Sequence, residues 1–146
     1  MIKNILKLFQ SETPSALNTD DTQIALAALM VRLAKTDGEY ALIEMTMIDR
    51  VLLKRFDLSD EAAQELRKSA EELESNAPDT VRFTRVIKET VIYEERAGVI
   101  EALWSIVLAD GNHDDEEHGL MRLVANLLGV NDRDSAFARQ RAQKQI

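Results

Sequence analysis

The chain has 146 residues, 45% hydrophobic and 30% charged, which suits one globular domain with a real core and argues against disorder. Its net charge of -8 disfavours nucleic acid, whose phosphates require clustered Lys and Arg, and favours cations, basic partners or simple solubility. The absence of cysteine excludes disulfides, thiol catalysis and thiolate metal sites, and is compatible with a reducing, cytoplasmic setting.

With only 5 Gly and 2 Pro, and many Ala, Leu, Glu, Lys and Arg, the expected fold class is all-α. Met1–Gln10 places Ile2, Ile5, Leu6 and Phe9 on one helical face, with Lys3 and Lys7 opposite. Such a helix can fold back on the domain, bind a protein partner, or lie on the inner surface of a membrane as a peripheral contact. Ser11–Thr19 reads as a linker, so residues 1–19 form an N-terminal segment and residues 20–146 the main domain. No secretory signal is visible. The longest apolar stretches, Ile24–Val31 and Ala102–Ala109, fall far short of the roughly 20 residues a spanning helix needs.

Asp20, Asp21 or Thr22 can cap a helix running to about Lys35, apolar nearly all round and therefore central. The next helix, about Ala41 to Arg55, carries a stripe of Leu42, Met45, Ile48, Leu52 and Phe56. Ser59 is the expected N-cap of a charged helix from Asp60 to about Asn76, which touches the core through Ala62, Leu66, Ala70 and Leu73. After a turn at Asn76–Asp79, Thr80–Tyr93 reads as a shorter helix with Val81, Val86, Ile87 and Val91 inward. Glu94–Leu108 is the second central helix, uncharged from Ala102 to Ala109. A helix from about Asp114 to Leu128 and a more basic last helix after Asn131 complete the chain.

The order repeats. Asp37-Gly38 with Glu44 recurs as Asp110-Gly111 with Glu117, and Leu58-Ser59-Asp60 recurs as Val130-Asn131-Asp132. Each half reads as an apolar helix, an Asp-Gly turn, an amphipathic helix, a capped turn and an exposed helix. The expected architecture is a single-domain bundle of about seven to eight helices with an internal two-fold repeat.

The Asp-Gly turns also carry the chemistry. Hard cations such as Ca2+ take carboxylate and backbone oxygens from a turn, and a carboxylate seven residues after the Asp sits about one helical turn on. Each turn holds only the second half of a calcium loop, because Leu33 and Lys35, or Ile106 and Leu108, stand where the earlier acids would be. A cation site would therefore be shared by the two turns. The competing reading is structural: acids in a first turn stabilise its positive end, and Gly after a helix stops it. Asp115 and His118 share a face, but a helical di-metal site needs a second such pair, so His118 reads as solvated. Trp104 and the methionines read as core, and Arg32 as paired with an acid such as Glu101 or snorkelling to solvent. No nucleophile–base pair, phosphate loop or cofactor fingerprint is present, which argues against an enzyme.

The pattern resembles the TerB tellurite-resistance family of bacterial all-helical domains. The residues that carry the resemblance are Ala34-Lys35-Thr36-Asp37-Gly38-Glu39 with Glu44, and Leu103-Trp104 leading into Ala109-Asp110-Gly111 with Glu117. Arg82-Phe83-Thr84 and Leu127-Leu128-Gly129-Val130 also fit, so the likeness covers about Asp21 to Arg141. It implies a helical domain without known catalytic activity and an association with tellurite and other stress systems, often near membranes. It also implies a metal site whose ligands by position are Asp37, Glu44, Asp110 and Glu117. Two departures stand out in the second copy: neutral Asn112 for Glu39, and His113 for Tyr40. The rival functional reading is a protein-interaction domain using the acidic helix or Met1–Gln10, with the acids acting as caps. A metal-dependent hydrolase rests on the clustered acids alone.

Overall fold

The computed structural model describes residues 19–36, 40–76, 79–109 and 115–144. Within them lie seven helices and no strand: α1 (Thr19–Ala34), α2 (Leu42–Phe56), α3 (Asp60–Asn76), α4 (Thr80–Thr90), α5 (Tyr93–Val107), α6 (Asp115–Leu127) and α7 (Asp132–Lys144). Met1–Gln10 lies outside the described residues.

Two helices make the centre. Ile24 to Val31 of α1 is buried without interruption, and Ala102, Leu103, Trp104, Ile106 and Val107 of α5 are buried on either side of half-buried Ser105. A helix apolar on every side must be surrounded, and both are. The packing is close to symmetric on exchange of halves. α1 packs on α3 as α5 packs on α7, α1 on α2 as α5 on α6, and α2 on α5 as α6 on α1. α1 and α5 meet each other, and α4 bridges the halves by packing on α1 and α6.

The caps repeat as well. α2 ends at Asp57 in the left-handed region (φ 54°), and α6 is followed by Gly129 (φ 72°). In each case the next amide reaches back to close the helix, Leu58 N–H to Leu53 O and Val130 N–H to Ala125 O, both at 3.0 Å. The following helix is capped by Ser59 Oγ, accepting from Ala62 N–H, or by Asn131 Oδ1, accepting from Asp134 N–H. Ser59 is thus the N-cap its position suggested.

Several side chains depart from expectation. Leu42 is 77% exposed, because the buried line of α2 runs through Glu44, Ile48 and Leu52, and Leu42 lies about 120° round from Ile48 at 100° per residue. Val81 is exposed, and Phe83 takes the core position of α4. On α3 it is Ala63, not Ala62, that is fully buried. α4 stops at Thr90: Val91 and Ile92 turn extended, and α5 begins at Tyr93. Arg96 satisfies two of the carbonyls this leaves, donating to Lys88 O and Val91 O, and ties them to the end of α6 by donating to Leu128 O. The acid that meets Arg32 is Glu74, at 3.1 Å, while Arg32 stacks over Phe83 and Glu101 pairs with Arg141. His118 is half-buried rather than solvated, edge-on to Trp104 with ring centroids 5.4 Å apart.

Candidate functional site

The two acids borne by helices occupy matched places. Glu44 is the third residue of α2 and Glu117 the third of α6. Both are buried, with 7% and 6% of their surface exposed. Carboxylates at that depth are uncommon, because desolvation penalises the charge unless hydrogen bonds or a cation answer it. One such bond is local: Glu44 Oε1 accepts from the Ala41 amide at 3.2 Å, which is the back-reaching half of a capping box. Asp37 and Asp110, the other two expected ligands, lie outside the described residues. Among the described residues, no cluster of three or more His, Asp or Glu side chains is arranged to hold a metal ion.

The first turn is strapped to α3 on both sides. Before it, Lys35 Nζ meets Glu74 Oε1 at 2.8 Å, and Thr36 Oγ1 donates to the carbonyls of Arg32 and Leu33 at the end of α1. After it, the Tyr40 hydroxyl donates to Glu71 Oε2 at 2.5 Å. Burial, and then the neighbouring Glu71 carboxylate, push the Tyr40 phenol well above its ordinary value, so it stays a neutral donor. Glu71 in turn accepts from Arg67 Nη1 at 2.9 Å, and Arg67 Nε donates to Asp49 Oδ1 at 2.6 Å. Partial burial works against the Arg67 charge, but hydrogen bonds to the two acids outweigh it and raise its pKa.

The chain of contacts Tyr40, Glu71, Arg67, Asp49 therefore fixes where α2 leaves the turn. Sequence reasoning missed it. Arg67 and Glu71 are four apart on one helix, which was a readable signal. Asp49 and Tyr40 are brought in by tertiary packing, which leaves no spacing to read.

At the second turn, α5 ends with Leu108 N–H donating to Trp104 O and Ala109 N–H to Ile106 O. Buried Glu117 and half-buried His118 stand in the first turn of α6, and His118 packs edge-on against Trp104. Chemically, the described part of the site offers two buried hard oxygen donors, one per half, at the entry of helices that both pack on the central pair. It offers no nucleophile–base pair.

No curated protein matches the chain. A solved structure of a protein of unknown function from Porphyromonas gingivalis W83 matches with a TM-score of 0.63 at 19% identity, over 91% of this chain and 96% of that one. That likeness is one of fold. The family model described as tellurite resistance protein TerB matches residues 23–140, nearly the whole bundle, and the chain belongs to that family.

Proposed function

We propose that this protein is a non-enzymatic, stress-associated domain of the tellurite-resistance type, and that its two Asp-Gly turns share one hard divalent cation such as Ca2+. The carrying observation is that Glu44 and Glu117, at the same position of repeated helices, are both buried. Asp37 and Asp110 complete the oxygen set from the turns, where backbone carbonyls are also available. An all-oxygen set suits Ca2+ or a similar ion better than a thiophilic one. The ion would tie the two halves together; no catalytic step is assigned to it. The working setting is cytoplasmic, and no described helix is long and apolar enough to cross a membrane.

A second reading is favoured by the Glu44 bond to Ala41 N–H: the acids are helix caps, and the domain acts by binding a protein partner. Melting curves with Ca2+, Mg2+ and Mn2+ separate the two. The cation reading expects a rise in melting temperature that Asp37→Asn with Asp110→Asn abolishes, with amide NMR shifts concentrated at both turns. The capping reading expects no ion effect, and a loss of stability in Glu44→Gln that is the same with and without ions. No shift with any divalent ion would sink the cation site.

A further inference from the structure

The repeat leaves one seat to be filled. α4 precedes α5 in the chain and packs on α1 and α6. Exchange of the halves turns that seat into a groove between α5 and α2, and the segment that precedes α1 is Met1–Gln10. α4 runs antiparallel to α1: Thr90 Oγ1 accepts from Thr22 Oγ1 at 2.6 Å, while Thr80 and Phe83 meet Arg32. Between these contacts the line of α1 is Thr22, Ala25, Leu29 and Arg32, with Ala25 and Leu29 only 0% and 1% exposed.

Displaced by the interval between the two Asp-Gly turns, the same line on α5 is Glu95, Gly98, Ala102 and Ser105. It is less covered: Glu95 is exposed, and Gly98 and Ser105 are half-buried. The other wall of the groove is α2. The Arg55 guanidinium reaches over Gly98, so the flank of α2 that carries Arg55 borders α5. At 100° per residue, Ile43, Met47 and Val51 share that flank, on the far side of α2 from Asp49, which meets α3. Ile43 is 57% exposed, and Met47 and Val51 are half-buried, so the wall is apolar and open where α6 is covered by α4.

We propose that Ile2, Ile5, Leu6 and Phe9 of this same chain dock in the groove between α5 and α2, as the counterpart of α4. On α4, Phe83, Val86 and Ile87 are buried and Thr90 bonds to α1; Ile2, Ile5, Leu6 and Phe9 stand at the same intervals. Ile2 then takes the place of Phe83, near Ser105, and Phe9 that of Thr90, near Glu95, with Lys3 and Lys7 towards solvent. The chain reaches: Thr22 touches Thr90, which is five residues from Glu95, and the nine residues 10–18 span up to about 30 Å when extended. A tether of that length holds the segment at an effective concentration of order mM, which favours it over the same segment of a second copy. The groove is separate from the Asp-Gly turns and does not depend on a cation there.

The chain has no cysteine, so Lys7→Cys gives a single site for a nitroxide label on the polar side of the segment. In the full chain the label is expected to broaden amide NMR signals most strongly at residues 47–51 and 98–102. Ile5→Asp with Leu6→Asp is expected to abolish that pattern while the signals of α3 and α7 stay in place. Ile43→Asp tests the groove from its other side, at a position exposed enough to accept a charge, and is expected to weaken the same broadening. It keeps the test decisive if the double variant fails to fold. Broadening centred elsewhere, for example at exposed Ile92, Tyr93 and Phe137, overturns the proposal. So does broadening seen only between a spin-labelled copy and an isotope-labelled second copy, or a groove left unbroadened while the segment binds phosphatidylserine vesicles.

Discussion

In the first half of the molecule Asp49 and Arg67 meet at 2.6 Å; in the second, the same helical positions hold Arg122 and Arg139. Leu52 fills the space between helices in the first half, and Ala125 leaves it open in the second. The backbones repeat down to their caps, with Asp57 and Gly129 in the same left-handed turn. A duplicated scaffold can thus keep its helix ends and its central pair while one copy is closed by its own side chains and the other is left with a gap. The first half is closed by its own side chains, and the second keeps an open cavity beside Trp104.

The sharpest way to break that contrast is at the filled position. Leu52→Ala removes a side chain with no exposed surface, and about 3 kcal/mol of stability should go with it, read from urea unfolding. A loss below about 1 kcal/mol would mean that the first half collapses onto the vacancy as readily as the second tolerates its own. The ion pair comes next. Arg67→Ala strands Asp49 and Glu71 near each other, with side chains only 21% and 26% exposed, and should cost about 2 kcal/mol. Arg139→Ala, which breaks no ion pair among the described residues, should cost less. Equal losses would show that the Asp49 contact is not what distinguishes the halves.

The reverse substitution sharpens the comparison from the other side. Ala125→Leu places in α6 the residue that α2 carries, and should stabilise the fold by about 1 kcal/mol while filling the cavity. Destabilisation would show that the cavity is not simply the volume of the missing leucine branch. NMR of the Trp104 indole N–H would then say whether the ring had been displaced.

Much of this was legible in the chain. The two central helices, the repeat and the Ser59 cap follow from apolar periodicity and turn chemistry, and both are local signals. Leu42 and Val81 were placed inward because each has apolar neighbours at helical spacing. Which arc of a helix faces the core is decided by the helices packed against it, and Glu44 lies on the buried arc where the pattern reads polar. Arg32 needed an acid, but Glu74 is 42 residues away in sequence and reaches it only because α3 lies along α1. Glu44 and Glu117 stand out by their spacing alone, whereas their burial follows from packing and leaves no such mark. The cavity was not legible, because it consists of what Ala125 and Arg122 lack relative to Leu52 and Asp49, and that is visible only once the two halves are superposed residue by residue.

Tyr40 offers the smallest and most specific test. Its counterpart in the repeat is His113, which lies outside the described residues, so the phenol bond to Glu71 is a device of the first half as described. Burial and Glu71 raise its pKa above the ordinary tyrosine value of about 10. An unfolded chain therefore releases this proton at a pH where the folded one still holds it. The stabilisation is complete below about pH 10 and is lost progressively as pH climbs from there towards the folded value. Tyr40→Phe should cost about 1 kcal/mol at neutral pH, through the lost bond to Glu71, and should show a shallower decline in stability between about pH 9 and pH 11. Urea unfolding at a series of alkaline pH values measures both. If wild type and Tyr40→Phe decline in parallel, other groups govern the alkaline limit, and the strap across the first turn contributes only its hydrogen bond. If the variant is flat where wild type falls, the closed half owes part of its rigidity to a phenol that must stay protonated.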